Sequence, residues 1–280
     1  MNLEDCSLSG SALTEPFLRD GLATVAPVRV IRAGDWEDLR ESLRTGGAQR
    51  VHLHVTTRLA SALGYSRPTR QHQVTTREGQ EDGGWLLRAP NGATLRAWSI
   101  PTEADLDAPE RSVRAYRASP TRIAQRVLLS RAEPAGLLTN GDVIRLLLCD
   151  PARSDSHLSI AIGTWSTTDQ PPDSFRILQT LAGAANLPRL PTILEAARLH
   201  QARVTTELRR QAREAIVGFI NALPDRTACD PATLWREGLI LVYRLLFILK
   251  LECPAEATDG FSFAATRLWR DALSPNRALG

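Results

Sequence analysis

Short hydrophobic runs separated by turn residues fill the first 165 residues of the chain. Runs of about four to eight residues, rich in branched and aromatic side chains and bounded by turn residues, are typical of β-strands. The runs of this kind are residues 28–31, 51–55, 84–89, 94–100, 143–149 and 158–162. Asn-Gly pairs at 91–92 and 140–141 supply the positive φ angles that tight hairpins require, so turns are expected there.

Two helices are predicted among these strands, over about residues 35–45 and 120–132. Ser119 and Pro120 open the second helix as its N-cap and its first-turn proline. Strands mixed with a few helices indicate a layered structure. The pattern therefore predicts an α/β (α+β) fold in which a mixed-sheet domain occupies residues 1–165.

The second part of the chain is helical in pattern. A polar joint that contains two prolines begins at residue 166. The helices predicted after it cover about residues 174–184, 191–223 and 232–251. Residues 166–190 are therefore expected to form a joint with a short helix, and residues 191–280 an all-helical connector domain.

The long predicted helix carries an apolar stripe from Leu194 to Phe219 and, beside it, an arc of arginines. Adding 100° per residue gives this arc a width of about 140°. Its members are Arg198, Arg203, Arg209, Arg210 and Arg213. A guanidinium presents a planar donor fork that suits phosphate oxygens, so the face predicts contact with double-stranded DNA. Because Glu195, Glu207 and Glu214 are interspersed, an ordinary solvated helix surface stays open as the alternative.

The helix predicted over residues 232–251 is apolar almost all round, which is typical of a core helix. Its mid-helix charge, Arg244, is then expected to be buried or half-buried and to need a carboxylate, such as that of Glu237 or Glu252. The apolar stretch is about half as long as a bilayer requires, so no membrane span is predicted. If nothing covers this helix, it leaves an apolar patch exposed.

The composition limits which partners and which metal sites the chain is expected to have. The 34 basic residues comprise 33 arginines and one lysine, Lys250, and the net charge of +3 permits a polyanionic partner without requiring one. The four cysteines lie far apart and form no zinc-binding set, which suits reduced thiols in the cytoplasm, and the N-terminus has no signal-peptide pattern. His52 and His54 would share one face of a strand, where a half-exposed surface is favoured over a metal pair.

Motif searches find no local signature of the common enzyme classes. The chain has no GxxxxGKS/T, GxGxxG, GxSxG or HExxH pattern, so nucleotide triphosphatase, dinucleotide-binding, hydrolase and zincin interpretations lack support. A metal-dependent nuclease of the D…ExK type needs carboxylates for the metal and a lysine near the attacking water. The single lysine lies in the other half of the chain, so the sequence predicts no catalytic residue and no metal site.

Two segments carry a resemblance to a known family. Residues 116–162 place a helix before GLLTNG and RLLL, and residues 234–252 contain REGLILVYRLLFILKLE. Together they resemble the N-terminal region of large adenine-specific DNA methyltransferases of the type IIG restriction-modification, BREX and DISARM phage-defence groups. The resemblance covers most of residues 75–280. It implies a nuclease-like α/β region, a helical connector and then a Rossmann-like methyltransferase that uses S-adenosylmethionine.

This chain contains the first two of those parts and lacks the third. No tetrapeptide of the Asn-Pro-Pro-Tyr type is present, because residues 274–277 lack the second proline and the aromatic residue that would stack on a flipped adenine. S-adenosylmethionine is therefore expected only in an absent catalytic domain. The chain is interpreted as a piece of such a protein whose connector is truncated.

The resemblance also implies a degenerate nuclease site. Where active relatives carry E-x-K, the corresponding stretch here is 97–101, so both the metal ligand and the lysine are missing. The prediction is a non-catalytic region that contacts double-stranded DNA or other defence-system subunits. Two alternatives stay open: a divergent metal-dependent DNA endonuclease that uses Glu103, Asp105 and Asp107, and a free-standing regulator that has shed the catalytic part.

Overall fold

A seven-stranded mixed sheet lies at the centre of the first part of the chain. The computed structural model describes residues 2–27, 31, 33–45, 51–102, 104–109, 118–149, 155–222, 230–251 and 266. The strands are β1 (Cys6–Ser9), β2 (Thr69–Arg70), β3 (Val74–Thr76), β4 (Gly79–Glu81), β5 (Trp85–Arg88), β6 (Thr94–Ser99), β7 (Ala135–Thr139), β8 (Val143–Leu148) and β9 (His157–Ala161). The sheet order is β1-β9-β8-β7-β6-β5-β2, and β3 and β4 form a separate hairpin. Strands β6 and β7 pair in parallel, and the other pairs in this sheet are antiparallel.

Helices make up most of the rest of the described chain. They are α1 (Leu22–Val25), α2 (Ala33–Thr45), α3 (Thr57–Ala62), α4 (Pro120–Arg131), α5 (Asp173–Ala182), α6 (Leu190–Ala222) and α7 (Pro231–Leu251). A π-helical turn precedes α1 at Phe17–Gly21 and another precedes α3 at His52–Thr56, and 3-10 turns lie at Gly163–Ser166 and Leu187–Arg189. Helix α4 lies in the connection between the parallel strands. These elements confirm the predicted α/β fold with a mixed sheet.

Both faces of the sheet are buried within the first of two compact units, Met1–Gln201 and Ala202–Gly280. Along β8, Ile144 and Leu146 belong to a large core that also takes side chains from α2, α3 and α5. Leu147 points the other way, into a smaller core that α4 fills with Val127 and Leu128. A strand that is buried on both faces has no solvated face, and this explains why residues 143–149 are apolar except for Arg145.

Local signals at the turns and caps agree with the structure. The Ser119 hydroxyl accepts a hydrogen bond from the backbone N–H of Arg122, and Pro120 opens α4, as predicted. Gly92 and Gly141, the second residues of the two Asn-Gly pairs, have φ angles of +83° and +94°. The Asn-Gly turns after β5 and after β7 are therefore confirmed.

The strand predicted over residues 51–55 is wrong, because this segment is helical. Val51 and Val55 are buried four residues apart, which is the helical period and not the alternation of a strand. Five strands were not predicted: β1 to β4 have only two to four residues each, and β7, with the sequence AGLLT at 135–139, is short and begins with two small residues. In the strand predicted over 28–31, residues 28–30 lie outside the described part of the chain.

Helix α7 differs from its prediction as a core helix. Tyr243, Leu245, Leu246 and Phe247 are 51–68% exposed. Arg244 is exposed rather than buried, because the apolar positions around it face solvent as well. The expected apolar patch is confirmed by these exposures. No helix in the described ranges is long and apolar enough to cross a membrane.

The predicted partners of Arg244 also differ from the structure. Glu237 lies 3.5 Å from Arg236, a different arginine, and both side chains are exposed. Glu252 lies outside the described residues.

Candidate nucleic-acid interface

Helix α6 carries all five arginines that the sequence singles out, but the two compact units divide them. The helix has 33 residues and is about 50 Å long. Within the first unit, Leu190, Ile193 and Ala197 are buried in the large core, and Arg198 follows them. The other four arginines belong to the second unit and are exposed.

Arg198 is held by a carboxylate one turn before it. Its Nε and Nη2 atoms donate to the two oxygens of Glu195 at 2.8 and 2.5 Å. This bidentate pair raises the pKa of Arg198. Because both carboxylate oxygens are used, the pair leaves Arg198 less able to turn its donor fork toward a phosphate.

Arg210 is held on both sides. It donates to Glu207 at 2.9 and 2.5 Å and to Glu214 at 2.5 Å, so two of the three glutamates weighed against DNA contact are committed to this one guanidinium. Hydrogen bonds from Arg210 and from the side-chain amide of Gln211 lower the pKa of Glu207 to about 2. The three charged side chains carry a net charge of −1, so this cluster does not attract a polyanion.

Arg203, Arg209 and Arg213 form the remaining part of the face, and we call them the open arginines. All three are exposed, and no ion pair or hydrogen bond joins the side chain of any of them to another described residue. At 100° and 1.5 Å per residue they cover an arc of about 120° and about 15 Å of helix, the rise of about four base pairs of DNA. Their donors are free to meet an anion.

The apolar stripe predicted beside the arginines is exposed over much of its length. Val204, Leu208 and Phe219 are 37%, 59% and 45% exposed. Ile216, which lies outside the predicted stripe, is the buried apolar residue of this stretch, at 1%. A Cβ atom on Gly238 would come within 2.7 Å of the Ile216 side chain. Helix α7 therefore approaches α6 closely at Gly238, where there is no side chain to clash.

The carboxylates of the alternative endonuclease prediction have other roles where they are described. Glu103 lies outside the described residues. Asp105 accepts a hydrogen bond from the backbone N–H of Asp107. Both oxygens of Asp107 accept from Arg145, at 2.5 and 2.9 Å. Among the described residues, no group of three or more His, Cys, Asp and Glu side chains is placed to hold a metal ion.

Arg145 is a buried structural arginine that the sequence analysis missed. It is 7% exposed and also donates to the hydroxyls of Thr121 and Ser159. The hydrogen bond and charge of Arg145 lower the pKa of Asp107. The signal was available, since Arg145 stands at an inward-facing position of a strand that is otherwise apolar.

A second missed pair lies on the same face of the sheet. Arg96 is 2% exposed and donates to both oxygens of Glu133, at 2.7 and 2.5 Å, and to the carbonyl of Gly83. The stretch 97–101, matched to the lost E-x-K motif, begins beside it with Ala97 and Trp98, both buried. The Trp98 indole donates to the carbonyl of Asp82 at 2.9 Å.

The predicted histidine pair is not on a strand. His52 stacks on the Trp85 ring with 3.6 Å between centroids, and Arg70 lies 5.3 Å from the same ring. Burial, followed by the charge of Arg70, lowers the pKa of His52. The side chain of His54 lies outside the described part.

No protein-family model, curated protein or solved structure matches this chain. The resemblance to DNA methyltransferases of defence systems therefore stays a prediction from the motifs.

Proposed function

We propose that this chain is a non-catalytic region that contacts double-stranded DNA through the open arginines Arg203, Arg209 and Arg213. In the proposal it is the N-terminal region of an adenine-specific DNA methyltransferase of a restriction-modification or phage-defence system. The motifs at residues 116–162 and 234–252 support the parent family. The single observation that supports the DNA contact is the absence of any carboxylate partner for the open arginines in the described chain.

The spacing of the open arginines favours an anionic partner. Arg209 and Arg213 are four residues apart on a helix, so their like charges repel and cost the isolated helix roughly 0.2–0.5 kcal/mol. Glu207 and Glu214 could offset this repulsion, but both bind Arg210. A phosphate between Arg209 and Arg213 would replace the repulsion with charge-assisted hydrogen bonds.

The test is retention of double-stranded DNA as a function of salt. The triple variant Arg203→Glu, Arg209→Glu, Arg213→Glu removes all three contacts. Each phosphate contact contributes about 0.9 to the slope of log affinity against log salt, so we expect the slope to fall by about three and binding at low salt to drop strongly.

A charge-matched control separates this face from a general effect of charge. Arg67, Arg77 and Arg88 are also exposed and have no ion-pair partner in the described part of the chain, but they lie in the first unit. Their triple glutamate variant changes the net charge by the same amount and is expected to retain most of the salt slope. Equal losses in the two variants, or an unchanged slope in the α6 variant, would contradict the proposal. Binding of another protein subunit without DNA binding would favour the partner-contacting role instead.

A further inference from the structure

A cavity in the first unit has lining groups that the proposed DNA contact does not use. Its volume is about 790 Å³, and it lies between α2, the segment 169–171 and α5. A smaller cavity of about 420 Å³ shares Ile31 and Gln179 with it. Small-molecule sites in proteins occupy roughly 300–1,000 Å³, so either space is large enough for a ligand.

Two side chains that line the large cavity carry buried polar atoms without a partner. Trp36 is 3% exposed and Gln179 is 7% exposed. Neither the indole Nε1 of Trp36 nor the amide Oε1 of Gln179 has a hydrogen-bond partner in the described chain. Roughly 90% or more of buried polar groups in folded proteins are paired, so an unpaired donor and an unpaired acceptor on two side chains that line one cavity need an explanation.

Neighbouring aromatic residues provide a contrast within the same unit. Trp165, which packs 6.1 Å from Trp36, donates its indole N–H to the hydroxyl of Ser174 at 3.0 Å. The Trp98 indole also has a partner. Among the described residues, the fold therefore supplies acceptors for the buried indoles of Trp98 and Trp165 but none for that of Trp36.

Charges of both signs line the same space. The Nη1 atom of Arg40 donates to Asp169 at 2.6 Å and to the carbonyl of Thr168 at 3.3 Å, and its other guanidinium nitrogens have no partner among the described residues. Arg176 lies 3.6 Å from Asp173 in a loose pair. Glu37 is exposed and forms no ion pair with another described residue.

We propose that this cavity binds a small zwitterionic ligand that contains an amide, of which di- and tripeptides are the simplest class. The Trp36 indole would donate to the amide carbonyl, and the Gln179 oxygen would accept from the amide N–H. The ligand carboxylate would meet Arg40 and Arg176, and its ammonium group would meet Glu37. Nucleotides fit less well, because they bring no cation for the carboxylates on the wall.

The test is equilibrium dialysis of the whole chain against a complete dipeptide library, with mass spectrometry of the retained species. We expect one or more dipeptides to be retained. Trp36→Phe keeps a ring that packs on Trp165 and Phe175 but removes the N–H, and Gln179→Leu keeps the shape but removes the acceptor. Each change removes one hydrogen bond to the ligand and should weaken retention about tenfold.

Matched controls are Trp98→Phe and Gln80→Leu, which make the same substitutions away from the cavity and should leave retention unchanged. The midpoint of urea unfolding gives a second readout. Both changes remove buried ring volume, but Trp98→Phe also removes a paired N–H, so it should lower the midpoint more than Trp36→Phe, which removes an unpaired one. The proposal is overturned if no dipeptide is retained, or if the Trp36 and Gln179 variants retain the library as the original chain does. Retention of nucleosides but not dipeptides in a parallel mixture would overturn the ligand class.

Discussion

Two buried arginines of the first unit and the open arginines of the second unit differ in their partners. In the first unit, Arg96 and Arg145 are nearly buried, and each is held bidentately by a carboxylate, Glu133 or Asp107. In the second unit the open arginines are exposed and have no carboxylate partner among the described residues. A buried guanidinium must be paired because desolvation is costly, whereas an exposed one costs little when it is alone. The lack of a partner thus leaves the open arginines available for binding.

The apolar side chains of the two units differ in burial, as the arginines do. In the first unit Leu128 is fully buried against the sheet, and a side chain on Gly136 would already touch it at 3.0 Å. In the second unit Leu246 is 53% exposed. Stability of the fold should therefore come from the first unit.

The largest expected effect tests this difference in burial. Leu128→Ala removes buried methyl groups and leaves a cavity, so we expect the free energy of unfolding to fall by about 3–4 kcal/mol in a urea titration. Leu246→Ala is the matched control and should change it by less than about 0.5 kcal/mol. A large loss from Leu246→Ala would show that α7 is covered in solution.

The next effect concerns the paired arginines. Glu133→Gln removes the charge that compensates the buried guanidinium of Arg96, and we expect a loss of about 3 kcal/mol in the free energy of unfolding. Glu207→Gln makes the same change in the exposed cluster of α6 and should give no measurable loss, since both partners there are solvated. Equal stability of the two variants would contradict a structural role for Arg96.

The length of the hydrophobic pattern decided which elements could be predicted from the sequence. Elements with a long, clear period, such as α4 and α6, were predicted within a residue or two of their ends. Residues 51–55 were misassigned, because a five-residue run with two valines fits alternation as well as the helical spacing that buries Val51 and Val55. Short runs carry too few positions to separate the two periods.

The candidate site was predictable only as a set of residues. Helical arithmetic placed the arginines of α6 on one face, but it could not show that Glu195 holds Arg198 and that two glutamates share Arg210. Those pairings depend on rotamers. The exposure of Arg244 was missed for another reason. A helix that is apolar almost all round is predicted to be buried, but its sequence does not show whether another segment covers it.

The two units also differ in their histidines, because all five lie in the first unit, before residue 202. Burial lowers the pKa of His157 and of His52, and nearby arginines lower both further. The unfolded chain, with histidine pKa values of about 6.5, then binds more protons than the folded chain once the pH falls below about 7. Stability should be complete above that pH and be lost as the pH falls through the lowered folded values.

Urea unfolding between pH 7.5 and about 5 measures this loss, which is at most about 1.4 kcal/mol per pH unit for each histidine. The double variant His52→Gln, His157→Gln should flatten the profile. A profile that stays as steep would assign the pH dependence to other groups.

The smallest expected effect comes from releasing Arg210 from its two glutamates, so that it becomes free to bind a phosphate as the open arginines are. The double variant Glu207→Gln, Glu214→Gln keeps the size of both side chains but removes the charges that bind Arg210. If α6 contacts DNA, the freed guanidinium adds about one phosphate contact, so the salt slope should steepen by about one and retention at moderate salt should rise severalfold. Glu15→Gln with Glu41→Gln removes the same charge from exposed pairs in the first unit and is the control. A rise of equal size in the control would mean that net charge alone governs binding, and no rise in either would place the DNA contact away from Arg210.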